Sequence, residues 1–127
     1  MGILDGLTKN WADLGPEARD PSLRPIRLAR PPSEAVSRAL RVIDRLPRWS
    51  VVAADPVAGT LHATHTTLVW RFIDDVHLRF EPDTDGTRVV GRSRSRVGTG
   101  DFGQNARNLR ELARALRDGA GGSGEGP

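Results

Sequence analysis

The sequence contains no cysteine and no tyrosine. Without thiols it cannot hold a disulfide framework, a thiolate zinc site or an iron–sulfur cluster, and a cysteine nucleophile is excluded. Aromatic residues are few, three Trp and three Phe, so a core has to rest on Val, Leu, Ile and Ala. Lysine is scarce as well: Lys9 stands alone beside 18 arginines. No run approaches the roughly 18–20 consecutive apolar residues of a membrane span. Residues 1–20 lack the basic start and apolar centre of a secretory signal, which makes the cytoplasm the expected compartment.

What remains is a chain of 127 residues, 37% hydrophobic and 28% charged, enough for one hydrophobic core. The net charge of +3 is unevenly spread: residues 1–20 carry −2, 21–48 carry +5, 49–87 carry −4 and 88–127 carry +4. Such alternation predicts acidic and basic segments that neutralise one another within the fold.

Residues 1–20 read as a polar leader. Ile3, Leu4, Leu7, Trp11 and Leu14 recur there at helical intervals, as in a short docking helix. Residues 119–127, Gly-Ala-Gly-Gly-Ser-Gly-Glu-Gly-Pro, offer nothing to bury and read as a flexible tail. Between them, residues 21–118 read as a single α+β domain. Leu23 to Arg30 is extended, with Pro25 confining it to an edge. Ser33 is the expected N-cap of a helix running to Leu46, whose Ala35, Val36, Ala39, Leu40, Ile43 and Leu46 form one stripe. Trp49–Ala54, Thr60–Thr67, Val69–Glu81 and Thr87–Val97 read as strands, the last two joined by a hairpin at Asp83-Thr84-Asp85-Gly86. A last helix is expected from Gln104 to Arg117, with Leu109, Leu112, Ala113 and Leu116 inward. The order β-α-β-β-β-β-α predicts a two-layer protein: an antiparallel sheet of four to five strands with two helices on one face.

Most motifs dissolve on inspection. Gly98-Thr99-Gly100-Asp101-Phe102-Gly103 is a literal G-x-G-x-x-G, but the second parallel strand of a dinucleotide-binding unit does not follow; a turn with Asp101 as helix cap is the expectation. His62 and His65 are an odd number apart on a strand and point to opposite faces, so no shared metal is expected. Ser93 and Ser95 have no general base nearby in sequence, and no aromatic interleaves Arg92 to Arg96 as base stacking would require; nucleic acid is not an expected partner. Asp74-Asp75 is the unusual pair, because Asp is disfavoured in strands. Either a bulge lies there, or the two carboxylates meet the row Arg92, Arg94, Arg96, which shares one strand face by parity.

Three blocks then stand out together: Arg71-Phe72-Ile73-Asp74-Asp75-Val76, Arg92-Ser93-x-Ser95-Arg96-x-Gly98 and Asp101-Phe102-Gly103-x-Asn105. With Pro47-Arg48-Trp49 and Leu61-His62-Ala63 upstream, residues 24–117 resemble the family called domain of unknown function 1499. The sequence differs from the family's usual pattern at Arg94, Ala106 and Asn108. The resemblance implies a domain and no activity. The expected function is a non-catalytic binding or accessory module centred on a polar cluster of Asp74, Asp75, Arg92, Arg96, Asp101 and Asn105. The rival is an enzyme or small-anion-binding protein using the same residues. No cofactor is called for, and the partner classes left open are an anionic small molecule and a protein.

Overall fold

The computed structural model describes residues 10–97 and 103–121. In chain order the elements are β1 (Trp11–Leu14), a 3-10 turn (Pro21–Leu23), β2 (Ile26–Leu28), α1 (Pro32–Asp44), β3 (Trp49–Asp55), β4 (Thr60–Thr66), β5 (Ile73–Asp83), β6 (Gly86–Ser95) and α2 (Gln104–Gly121). The class is α+β in two layers. The sheet is antiparallel throughout, ordered β1-β6-β5-β4-β3, with β2 also on β6, so it has six strands rather than four to five.

The added strand is β1. Its residues carry helical spacing in the sequence, yet Ala12 and Leu14 point inward while Asp13 points out, the period of a strand. Four residues are too few for the two periods to differ clearly. The pairing Asp13↔Arg92, Leu14↔Gly91 across β6 decides the matter. A gap of eleven residues then lets β2 return to the same β6 edge, with Ile26↔Val89.

Four other boundaries move. Pro31, not Ser33, precedes α1, and Pro32 takes its first turn, where its missing N–H has no partner to lose; the helix ends at Asp44, short of Leu46. β5 starts at Ile73 because residues 67–72 form a connecting loop. α2 continues through Gly119 to Gly121, past the expected stop at Arg117: an Arg38 guanidinium N–H donates to the Gly119 carbonyl at 2.7 Å.

Both helices cover one face of the sheet. The core between the layers is aliphatic: Ala35, Val36, Ala39 and Ile43 of α1 and Leu109, Leu112, Ala113 and Leu116 of α2 meet Leu61, Val76, Leu78, Phe80 and Val89. Gly91 of β6 packs tightly on β5; a Cβ there would lie 2.3 Å from the His77 carbonyl oxygen. Among the described residues the second face of the sheet carries no helix, and that asymmetry sorts the polar residues into two groups.

Candidate functional site

Strand parity divides the expected cluster. Register pairs Asp74 with Ser95 and Asp75 with Arg94, so the two carboxylates leave β5 in opposite directions. Asp74 points under the helices and is 1% exposed. It does not meet the arginine row. Its partner is Asn108, whose side-chain N–H donates to Asp74 Oδ2 at 2.7 Å and also reaches Ser93 Oγ at 3.3 Å. Ser93 donates to Asn105 Oδ1 at 2.6 Å. Asn105 in turn donates to the Asn10 carbonyl and to Ser95 Oγ, each at 2.9 Å, while Gln104 donates to Asn108 Oδ1 at 2.7 Å. This network pins the first turns of α2 to β5, to β6 and to Asn10 just ahead of β1. Asn105, Asn108, Leu109, Leu112 and Leu116 recur at three- and four-residue steps, one helix face. Two asparagines on an apolar stripe are the signal that would have revealed Asn108 and Ser93 as members.

Beside Asp74 lies His65, 4% exposed. Its Nδ1 is 3.9 Å from Asp74 Oδ2, and its Nε2 is 4.0 Å from Glu111 Oε1. Neither distance is a hydrogen bond, and among the described residues Nδ1 has no hydrogen-bond partner. Trp49 stands edge-on to the ring at 5.1 Å and donates its indole N–H to Glu111 at 3.0 Å. Burial pushes the His65 imidazole below its usual range, against the pull of Glu111 and Asp74.

Asp75 points to the open face and does find the arginine row. Arg96 clamps it with two bonds, 2.8 Å to Oδ2 and 3.0 Å to Oδ1, and His62 donates to Oδ1 at 2.8 Å. The Arg96 bonds, ahead of the opposing effect of burial and the bond from His62, bring the carboxyl down to about 2. His62 stacks on His77 with ring centres 4.1 Å apart. Desolvation first, then the neighbouring His62, lowers the affinity of His77 for a proton.

Arg92 shares this face but not these partners. It is held by Asp13 of β1 at 2.6 and 3.0 Å and lies 3.9 Å over the Trp11 ring. The expected six therefore separate into Asp74 with Asn105 beneath the helices, Asp75 with Arg96 on the open face, and Arg92 with Asp13 at the β1 edge. Asp101 lies outside the described residues, as do all of residues 98–102.

A cleft of about 940 Å³ opens where β1 leaves β6 and the chain loops through residues 15–20. Trp11, His77, Val90 and Arg92 line it from the sheet, with Arg79, Glu81 and Arg88 further along. Glu81 neutralises Arg79 at 3.3 Å and Arg88 at 3.0 Å, and Asp20 takes Arg110 at 2.7 Å. The lining holds Arg19, Arg79, Arg88 and Arg92 against Asp13, Glu17, Asp20 and Glu81, equal numbers of each sign.

Fold and site together define a two-layer α+β protein with one polar sheet face and an internally bonded polar seam under its second helix. The chain belongs to the family described as Protein of unknown function (DUF1499), whose model matches residues 8–116. No curated protein matches the chain. Among solved structures it is similar to the Thermus thermophilus protein TTHA0849, with 16% identity over 87% of this chain and 92% of that one and a TM-score of 0.38.

Proposed function

We propose that the protein is a non-catalytic binding module in which the motif residues are the frame and the cleft beside β1 takes the ligand. The carrying observation is saturation. Asp75 is occupied by Arg96 and His62, Asp74 by Asn108, and Arg92 by Asp13. A general base or nucleophile needs a lone pair within reach of its substrate, and these groups spend theirs on one another. The balanced lining of the cleft favours a polar ligand of low net charge, such as an extended peptide or an uncharged small molecule, over a phosphate-rich one. The rival reading, an anion site on the arginine row, rests on the exposed Arg92, Arg94 and Arg96.

Thermal unfolding separates the two. On the framework reading Arg96→Ala strips Asp75 of its clamp and lowers the melting temperature by a few degrees, a modest loss because the pair is partly exposed. Adding Asp75→Asn recovers part of it, and phosphate or sulfate protects neither protein. An Arg96→Ala protein more stable than the parent, together with anion protection of the parent alone, would sink the framework reading. Ligand screening by amide chemical shifts then tests the cleft, with perturbations expected around His77, Arg88 and Arg92.

A further inference from the structure

The six-residue loop between β4 and β5 is the most apolar exposed part of the described surface. Leu68 is 68% exposed, Val69 75%, Trp70 74% and Phe72 48%. The loop is not slack: the Thr67 N–H donates to the Phe72 carbonyl at 2.9 Å, and the Phe72 N–H to Thr67 Oγ1 at 2.8 Å. Trp70 and Phe72 stack with ring planes 17° apart. A closed turn thus presents a preformed apolar tip to water, which soluble surfaces do not keep without a use.

The base of this tip is cationic. The Arg48 carbonyl accepts from Thr66 at the end of β4, and Arg71 lies within the loop itself. Both side chains are exposed, and neither has a carboxylate partner among the described residues. Both also occupy the left-handed region, with φ of 71° at Arg48 and 60° at Arg71. Glycine would hold that backbone at less cost, so the chain accepts strain at two arginines, one whose carbonyl receives the end of β4 and one within the loop. The Arg96 N–H donates to the Ile73 carbonyl, which brings Val97, 63% exposed, to the same end of the sheet.

From this juxtaposition we infer that the 67–72 loop is a membrane-surface anchor, which dips Leu68, Val69, Trp70 and Phe72 into the boundary of an anionic bilayer while Arg48 and Arg71 bind lipid phosphates. Trp is at home at that boundary because its ring is apolar and its N–H polar. Apolar insertion combined with cationic contact is how peripheral proteins hold to charged bilayers. The shape argues against a second copy of the chain. A stable protein interface takes roughly 800 Å² and 20–30 residues from each partner, whereas this is one projecting turn. Anchoring at this end leaves the cleft beside Arg79 and Arg88, toward the other ends of β5 and β6, open to solvent.

The test is co-sedimentation of the full chain with vesicles of phosphatidylcholine, with and without phosphatidylglycerol, alongside Trp fluorescence quenching by brominated lipid chains. The parent protein should bind the anionic vesicles, less so at high salt, with quenched and blue-shifted emission. Trp70→Ser with Phe72→Ser should bind about tenfold more weakly or worse. Arg48→Gln with Arg71→Gln should lose the preference for phosphatidylglycerol. Quenching of the parent needs no variant, so the proposal stays testable even if a substitution impairs folding. Three results overturn it: no binding of the parent to either vesicle, undiminished binding by the Trp70/Phe72 variant, or a dimer of the parent that this variant abolishes while vesicles are ignored.

Discussion

Asp74 is a carboxylate inside an aliphatic layer, and its tolerance there depends on one residue. A buried anion without donors costs several kcal/mol, and the Asn108 amide supplies the short bond that keeps it in place. Asn108→Ala is therefore expected to destabilise the protein by roughly 3 kcal/mol, more than any exposed ion pair on the opposite face can contribute. Combining it with Asp74→Asn should recover part of the loss, since the stranded charge is gone. Chemical denaturation of the single and double variants measures both, and an Asn108→Ala protein as stable as the parent would refute the assignment. Asp75, one position on, answers to different physics. Its partners are half in water, and Arg96 holds it by geometry more than by burial.

Of the two helices, α2 ties together the more distant parts of the chain. Its first turns carry Asn105 and Asn108 into the polar seam, Arg110 reaches back to Asp20, and its last turns lie against α1. A Cβ on Gly119 would fall 2.8 Å from a Val42 methyl, so the helix approaches α1 closely enough that a side chain there would have to displace it. Removing residues 122–127 is expected to leave the melting temperature within about a degree, because that stretch has little side chain to bury. Removing residues 119–127 should cost measurably more, since the Arg38 bond to the Gly119 carbonyl goes with it. Differential scanning fluorimetry of the two truncations separates them; equal melting temperatures would mean that the α2 end contributes nothing to the packing of the helices.

At the scale of the whole molecule, acid should act in two stages. His65 and His77 both bind a proton less readily folded than unfolded. Their contribution is complete above the unfolded value near 6.5 and is lost as pH falls through the depressed folded values. Asp75 and Asp20 are both held down to about 2, the second chiefly by the Ser22 hydroxyl and then by Arg110. Their contribution is complete above the unfolded value of about 3.9 and disappears between there and about pH 2. Urea unfolding across pH is expected to show stability declining below about pH 6.5 and again below about pH 4. His65→Gln should flatten the first decline and Asp75→Asn the second. A profile unchanged by either substitution would remove these groups from the account.

Local pattern was enough for much of this. The period of each helix stripe, the hairpin at Asp83–Gly86, the shared face of Arg92, Arg94 and Arg96, and the two-layer class follow from rules that act over a few residues. The three motif blocks carried the family. What the sequence could not hold is which side chains meet across the chain. Asn108 finds Asp74 34 positions away, and Arg92 finds Asp13 79 positions away. Trp11–Leu14 is too short to declare a period and became a strand only because the β6 edge was open to it. Residues 69–72 read as the start of a strand because local pattern alone does not say whether a segment will be paired and covered. That was decided by the Thr67–Phe72 bonds, which close the turn before β5 begins and leave Trp70 in water.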